Sequence, residues 1–522
     1  MKKRHLFAAA AALALVSGSM VGCSPSGGGN AGGSASITTL TVASTTAPNS
    51  LDPAQSASGT PVRWFVDPSY ASVLSLDGTG KVVEGLADTW EYVGSDNKTF
   101  KFHLRDGLKF ADGTPLGAAE AIASFKYFLS TGAGPTKALF AGWEFEATDK
   151  NTVTIRTPNP VPVIPLLLTP DYLFGDIISP AGLADPSKLA AASFGAGPYV
   201  MDSTQTVAGD HYTYVRNENY HSPDSVKFDK IVAKVIPNLT QQVQALKTGQ
   251  VQVIQGDSTV AQTISGTGID LLKRPSVWTG LYMFDREGTI VPALKDLRVR
   301  QAVNLALNRD EIVKAVYGEY ATPTSQPAIP GSSEYGFSED LDDSFGYDVE
   351  RAKKLLSEAG YANGFNMPVF YETYNPAEAK LAQVLADQLS KVGITLELKG
   401  DQNFSAWVTD LFSKKYAGTV FLGAGAAYQN VQWFLTKGAL NPFGVTVPEI
   451  EEAYAKLSAT TNPEEQKAAA VDVTKSIINN APAAVVARVD ALYGVDSAKV
   501  SGVNFLGDTA ELSSIVNWAP TK

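Results

Sequence analysis

The stretch that decides the fold lies at residues 82–122 and reads VVEGLADTWEYVGSDNKTFKFHLRDGLKFADGTPLGAAEAI. Within it, KTFKFHL (98–104) alternates apolar and polar residues, which predicts a strand with one buried face. That face would carry Phe100, Phe102 and Leu104. A helix is predicted next, because Gly117 can act as its N-cap and Glu120 stands at its third position. A half-buried strand that leads into an amphipathic helix indicates a mixed α/β protein.

Helix and strand signals of the same kind continue on both sides of this stretch. ITTLTVA (37–43) predicts the first strand of the folded body. Residues 296–317 predict two helices joined near Asn308. Asp348 can cap a helix that runs through Ala359 and ends at Gly360. Asn462, followed by proline, opens another helix, since asparagine is a good cap and proline suits the first helical position.

Five blocks of the sequence together resemble one known family. They are residues 82–122, FGAGPY (194–199), VRNENY (215–220), LKDLRVRQAVNLALNRDEIVKAVYG (294–318) and VERAKKLLSEAGY (349–361). In this order they resemble the family 5 extracellular solute-binding proteins, the dipeptide-, oligopeptide- and nickel-binding components of ABC importers.

The resemblance implies an α/β protein built as a two-lobed, periplasmic-binding-protein-like clamp with an enlarged first lobe. Mixed sheets flanked by helices would form each lobe. Lobe one would comprise residues 37–277 plus 492–522, and lobe two residues 278–491. The hinge would lie near residues 274–284 and 489–494, where the chain crosses between lobes. Such a clamp can enclose a polar ligand and replace its hydration shell with fixed hydrogen bonds.

The N-terminus has the layout of an export signal. Lys2, Lys3 and Arg4 precede an apolar run at residues 6–16, and small residues lead to MVGC (20–23). Cys23 is the only cysteine of the chain, and the segment resembles a bacterial lipobox. We therefore expect residues 1–23 to be a lipoprotein signal peptide, with Cys23 lipidated as the first mature residue. The protein would then be anchored on the outer face of the cytoplasmic membrane by the Gly/Ser-rich tether 24–36.

Composition excludes several classes of function. The formal net charge of −11 and the lack of any basic run after residue 4 disfavour nucleic-acid binding. A single cysteine excludes an internal disulfide and cysteine-based metal sites. No second apolar stretch of about 20 residues follows the signal, which predicts a soluble body, taken to be a monomer.

Sequence signatures of enzymes and metal sites are also missing. There is no Gly-x-Ser-x-Gly elbow and no His-Glu-x-x-His motif. The histidines outside the signal, His103, His211 and His221, form no metal-ligand pattern. We therefore predict a binding protein with no catalytic residue, no metal and no cofactor. A secreted hydrolase that uses cleft carboxylates stays an alternative, because acidic residues are numerous. A sensor or adhesin that has lost its permease is another.

The expected ligand anchor of the family is absent. Peptide-binding members place an aspartate shortly before a Phe-Leu pair in lobe two, where it pairs with the ligand's ammonium group. The matching pair here is Phe434-Leu435, yet residues 411–448 contain no acidic residue. A buried ammonium group without a carboxylate partner costs several kcal/mol. This segment therefore favours a ligand that is held by other means.

Aromatic and amide side chains are the candidates for ligand binding. Aromatic rings stack on sugar or apolar faces, and amides form hydrogen bonds with hydroxyl and peptide groups. The candidates in this segment and just before it are Trp407, Tyr428, Gln429, Asn430, Gln432 and Trp433. In lobe one, Trp64 is a candidate for the cleft wall. Asp285 could supply the missing carboxylate, and Tyr282 just before it is a further aromatic candidate for ligand binding.

The function predicted from the sequence is capture of a solute and its delivery to the permease of an ABC importer. Peptides are the leading ligand class, as the resemblance implies. An oligosaccharide or another neutral polar solute is the alternative, because the segment 411–448 offers aromatic rings and amides without acids.

Overall fold

The structure is a computed structural model that describes residues 37–56, 59–131, 140–331, 335–435, 440–460, 462–507 and 509–522. The predicted signal peptide, Cys23 and the tether lie outside the described residues. No helix among the described residues is long and apolar enough to cross a membrane.

Strands and helices are interspersed along the described chain. In chain order the strands are β1 Thr39–Ser44, β2 Leu74–Leu76, β3 Val82–Glu84, β4 Ala87–Tyr92, β5 Thr99–Leu104, β6 Glu144–Ala147, β7 Thr152–Arg156, β8 Tyr199–Met201, β9 His211–Arg216, β10 Lys230–Val235, β11 Val253–Gly256, β12 Ile269–Met283, β13 Ala321–Pro323, β14 Phe365–Glu372, β15 Ile394–Asp401, β16 Gly418–Ala424, β17 Ala483–Asp496, β18 Val500–Ser501 and β19 Ala519–Pro520. The α-helices are Arg63–Val66, Ala118–Thr131, Ile164–Leu167, Pro180–Ala184, Leu239–Lys247, Leu297–Leu305, Arg309–Val316, Val349–Glu358, Pro376–Ser390, Phe404–Ser413, Ala427–Leu435, Pro448–Ala459 and Pro463–Asn480.

One large mixed sheet runs through the molecule. Its strand order is β15-β14-β16-β12-β17-β11-β1-β10-β9-β8, with β13 paired to β17. The two long strands β12 and β17 are antiparallel over most of their length, from Ile269 opposite Asp496 to Tyr282 opposite Ala483. Register shifts interrupt the pairing between Pro275 and Val277 and again between Thr279 and Gly280. These two strands therefore carry the chain from one half of the sheet to the other.

The apolar cores change along the two long strands. On β17, Tyr493 and Val495 pack in one cluster with residues such as Leu40 and Trp518. Val485 of the same strand packs in a different cluster, together with Trp278 of β12. The predicted lobe boundaries remain a prediction, but they fall where the strands leave one core and enter the other.

The region assigned to lobe one has a second layer, which contains β5 and the helix Ala118–Thr131, the elements predicted from residues 82–122. Strands β4, β5, β7 and β6 form a four-stranded antiparallel sheet in that order. Phe100, Phe102 and Leu104 of β5 are buried as their alternation predicts. The helix Ala118–Thr131 packs behind the sheet, and the Glu120 carboxylate accepts a hydrogen bond from the Gly117 backbone N–H at 3.0 Å. The predicted start of this helix is therefore confirmed.

The predicted caps at Asp348 and Asn462 are also present, and the predicted junction near Asn308 is the start of a helix that Asn308 caps. Asn308 accepts from the Glu311 N–H at 3.1 Å, and Asp348 accepts from the Arg351 N–H at 2.8 Å. Asn462 accepts from the backbone N–H groups of the two glutamates that follow its proline. Each cap satisfies backbone donors that have no partner within the helix, which is why short polar residues stand there.

Candidate ligand-binding cleft

A cavity of about 610 Å³ lies between residues assigned to the two lobes. Its floor includes Ser276 and Val277 of β12, at the register shift of the long strands. A cavity of this size, lined from both halves of a hinged protein, is the usual place for a small-molecule ligand.

The lobe-one wall of the cleft is charged. Arg63 lies on the short helix Arg63–Val66, and its side chain is 3% exposed. Its Nε and Nη2 donate to the two carboxylate oxygens of Asp67 at 3.3 and 2.9 Å, while Nη1 donates to Asp171. All three nitrogens of the guanidinium therefore have carboxylate partners.

The electrostatics of this wall follow from one cation among several acids. Burial alone would lower the pKa of the Arg63 guanidinium, but Asp67, Asp171 and Glu511 together raise it above its usual value. Burial raises the pKa of the Asp171 carboxyl to about 6, and Arg63 opposes that rise. One guanidinium on this wall thus interacts with three acidic side chains.

Glu511 reaches the same wall from the C-terminal end of the chain. One carboxylate oxygen accepts hydrogen bonds from the Thr60 backbone N–H and hydroxyl, both at 2.9 Å. Arg274 of β12 holds the preceding loop, because its Nη1 donates to the carbonyl oxygens of Gly507 and Thr509. The carboxylate is therefore held by Thr60, while Arg274 holds the backbone of the loop that precedes it.

The lobe-two wall is uncharged within the described residues. Tyr428, Gln429 and Trp433 project into the cleft from the helix Ala427–Leu435. The Trp433 ring meets Phe421 edge-on, with 5.5 Å between ring centroids. The hydroxyl of Tyr428 forms a hydrogen bond with the hydroxyl of Tyr172 on the lobe-one wall. The two walls thus touch through a pair of tyrosines.

The structure corrects the placement of Asn430. It lies on the same helix as the cleft residues but on the opposite face, and it is fully buried. Its side-chain oxygen accepts from Trp278 Nε1 at 3.0 Å, and its amide nitrogen donates to the Pro327 carbonyl. Both polar atoms of this amide have protein partners, so the side chain stabilises the core of lobe two and is not available to a ligand.

Two aromatic candidates of lobe two are core residues instead of cleft residues. Trp407 is buried; its ring stacks on Phe421, and its Nε1 donates to the Thr419 hydroxyl at 3.3 Å. Tyr282 is buried on β12, and its hydroxyl lies 3.4 Å from the Trp433 carbonyl oxygen. Both rings pack in the buried aromatic cluster of this lobe and do not line the cavity.

Asp285 and Trp64 are also buried away from the cleft lining. The Asp285 carboxylate accepts three backbone hydrogen bonds, from Thr289, Ile290 and Val291, at 2.7 to 2.8 Å. It holds the turn that follows β12 and is not placed to act as a ligand anchor. Trp64 packs against Tyr493 and Trp518 in the core of lobe one. Of Gln432 only the backbone is described, within the helix Ala427–Leu435.

Sequence reasoning missed the charged residues of the cleft. The spacing of Arg63 and Asp67 by four residues is a local signal of a helical ion pair that could have been noticed. Asp171, Tyr172 and Glu511 carry no such signal, because the fold alone brings them beside Arg63. Among the described residues, no group of three or more His, Cys, Asp or Glu side chains could hold a metal ion.

The chain is similar to proteins with known descriptions. The sequence model of the bacterial extracellular solute-binding proteins, family 5 Middle, matches residues 81–441. The dipeptide-binding protein of Escherichia coli K12 is 28% identical over 393 residues, which cover 69% of this chain and 71% of that protein. A glutathione-binding protein of Pectobacterium atrosepticum is 24% identical over 462 residues, covering 84% of this chain and 86% of the relative.

Solved structures share the fold. The periplasmic binding protein AgaA of A. tumefaciens R10, in complex with agropinic acid, has a TM-score of 0.79 at 23% identity and covers 92% of this chain and 98% of its own. DppA of Helicobacter pylori, in complex with the peptide STSA, has a TM-score of 0.78 at 20% identity and covers 93% and 99%. At these identities the likeness establishes the two-lobed α/β fold, and the prediction of that fold is confirmed.

Proposed function

The chain belongs to the bacterial extracellular solute-binding proteins, family 5, and from this premise we propose that its cleft captures a peptide or a polar solute of similar size for an ABC transporter. The observation that carries the proposal is the cavity of about 610 Å³, which is lined by residues assigned to both lobes and by Ser276 and Val277 of β12. Bending at β12 and β17 would close the two walls on a ligand. The closed form would then be recognised by the membrane permease.

Peptides are the first ligand class to test, because the relatives named above include a dipeptide-binding and a glutathione-binding protein. Backbone amides of a peptide could form hydrogen bonds with Gln429 and with the tyrosine hydroxyls of the two walls. The agropinic acid held by AgaA, a protein of the same fold, makes other polar solutes worth including in the test.

An oligosaccharide is the second candidate, and one observation favours it. The described part of the lobe-two wall offers Tyr428, Trp433 and Gln429 with no charged side chain beside them. Aromatic faces and amides are the side chains that hold uncharged polyhydroxyl ligands.

We further propose that the protein is exported and lipid-anchored at Cys23 and that it acts as a monomer without a chemical step of its own. The export layout of residues 1–23 supports anchoring. Replacing Cys23 with Ser should release the protein from the membrane fraction, and unchanged membrane association would contradict lipidation.

A thermal-shift screen against peptides, oligosaccharides and nickel complexes tests the proposed function. A ligand present at 100 times its dissociation constant should stabilise the folded protein by about 2.7 kcal/mol. Recovery of each stabilising ligand unchanged after long incubation would support binding without catalysis. Failure of all three classes to stabilise the protein, with calorimetry also showing no heat, would overturn the proposal.

A further inference from the structure

We propose that Glu511 binds a positively charged group of the ligand, so that the cleft selects organic cations with an uncharged body. This inference rests on the proposed function and names the ligand chemistry of the same cleft. The predicted anchor at Asp285 is replaced by a carboxylate on the opposite lobe, which no local sequence pattern identifies.

The charge of the cleft lining favours a cationic ligand. Arg63, Asp171 and Glu511 are the charged side chains among the described lining residues. Arg63 already donates from Nε, Nη1 and Nη2 to Asp67 and Asp171. A ligand carboxylate would therefore meet a guanidinium whose donors are engaged, beside a carboxylate of the same sign as its own. A ligand cation meets a complementary potential.

Glu511 is held in a way that leaves one carboxylate oxygen able to accept a hydrogen bond. Its Oε2 accepts both hydrogen bonds from Thr60, and its Oε1 has no hydrogen-bond partner among the described residues. The side chain is half-buried at the cavity lining. A carboxylate positioned by two donors, with one oxygen still able to accept, is ready to form a charge-assisted hydrogen bond with an ammonium or guanidinium group.

The opposite wall of the cleft suits the same kind of ligand. Tyr428 and Trp433 present aromatic rings to the same cavity, and aromatic faces attract cations as well as apolar groups. The described lining of lobe two holds no acid or base that would call for a second charge on the ligand. A ligand would therefore match both walls if its cationic end faced lobe one and its uncharged body faced lobe two.

The chemistry also separates cations from ordinary peptides. A peptide with free ends brings an ammonium and a carboxylate in equal number. Its carboxylate has no free positive side chain to meet among the described residues of the cleft. We therefore expect blocking of the carboxylate to improve binding and blocking of the ammonium to weaken it.

A charge series of one small peptide tests the inference by titration calorimetry on the purified protein. The probes are trialanine amide, trialanine, N-acetyl-trialanine amide and N-acetyl-trialanine, which are a cation, a zwitterion, a neutral molecule and an anion. Trialanine amide should bind about tenfold or more tightly than trialanine, and the anion should bind weakest of the four.

Glu511→Gln should lower the affinity for trialanine amide to that for the neutral probe, whose binding should not change. Glutamine keeps an oxygen for the Thr60 donors, so the fold should be retained. Glu91→Gln, at an exposed position of β4 in lobe one and outside the cavity lining, is the matched control and should leave all four affinities as they are.

The outcomes are decisive even if Glu511→Gln is unstable, because the wild-type series alone ranks the charges. Equal or tighter binding of trialanine, or a preference for the cation that survives in a folded Glu511→Gln, would overturn the inference and leave the proposed function standing. Absence of binding by all four probes would overturn it for peptide-sized cations. The broader ligand screen judges the proposed function separately.

Discussion

The two walls of the cleft differ in the side chains that they present. The lobe-one wall concentrates charge, with Arg63, Asp171 and Glu511 drawn from three distant parts of the chain. The described lobe-two wall presents aromatic rings and an amide on the single helix Ala427–Leu435. Buried charged side chains need compensating partners within the protein, because an unpaired buried charge is costly. An uncharged wall needs only a shape that is complementary to the ligand. Changes on each side should therefore have different consequences.

The largest effect is expected for the charged wall. Arg63→Met keeps most of the side-chain volume but leaves Asp67 and Asp171 without their cation. Removal of one partner from a buried ion pair destabilises a protein by about 3–5 kcal/mol. Urea unfolding should show that loss in the free energy of unfolding. Arg156→Met breaks the exposed pair with Glu146 and should cost at most about 1 kcal/mol; similar costs for the two variants would contradict the difference in burial.

The next comparison is between two tryptophans of lobe two. Trp407→Ala removes a buried ring and should lower the free energy of unfolding by about 3–5 kcal/mol. Trp433→Ala removes a ring at the cavity and should weaken ligand binding roughly tenfold with a smaller loss of stability. Denaturation and calorimetry on the same two variants separate the effects. A larger loss of affinity in a folded Trp407→Ala variant would reverse the assignment of the two residues.

The two lobes also differ in how a buried carboxyl group is compensated. In the region assigned to lobe two, Glu378 is buried and accepts from the hydroxyls of Thr279 and Tyr317, and no cation among the described residues compensates it. Burial raises its pKa to about 7. The folded state therefore binds a proton that the unfolded state releases above its ordinary pKa of 4.5. This contribution to stability is complete below pH 4.5 and is lost as the pH rises through 7.

Glu378→Gln should remove that loss, which amounts to roughly 2–3 kcal/mol between pH 4.5 and pH 8. The measurement is the difference in unfolding free energy between wild type and variant across this range, which cancels other raised carboxyls such as Asp176. A difference that does not change with pH would show that Glu378 is ionised in the folded protein throughout.

The smallest effect is expected where the walls meet. Tyr428→Phe removes the hydroxyl that bonds to Tyr172 and should cost the closed form about 0.5–1.5 kcal/mol, or about three- to tenfold in ligand affinity. Tyr172→Phe should have a similar effect, and the double variant should be little worse than either single one, because both remove the same contact. Fully additive losses would mean that the two hydroxyls act independently.

The same contrast explains what the sequence could predict. Local signals predicted several elements correctly: the alternation in β5, the helix junction near Asn308 and the caps at Asp348 and Asn462 depend on a few neighbouring residues. The lobe-two wall was partly predictable, because it lies on one short segment. Treated as a helix, that segment has a stripe of Ala427, Val431 and Phe434, which would have assigned Asn430 to the buried face.

The lobe-one wall was not predictable by such reasoning. Glu511 meets Thr60 across 451 positions of sequence, and no periodicity or cap links the two. Residue type alone was also a poor guide, since Trp64 and Trp407 have the same chemistry as Trp433 but fill cores. Asp285 has the carboxylate that a ligand anchor needs, but this carboxylate accepts hydrogen bonds from the backbone N–H groups of its own turn. Only the tertiary structure distinguishes these uses.

The position of β17 has a consequence for biosynthesis. In the sheet described above, this strand stands between β12 and β11 and is the strand that connects them. Until residues 483–496 have been synthesised, the two halves of the sheet each end in an open edge. Open strand edges invite association with other chains, and pairings across so many residues form slowly. A chain cut short before β17 would therefore leave the two halves of the sheet unjoined, so assembly of the clamp depends on the last 40 of the 522 residues.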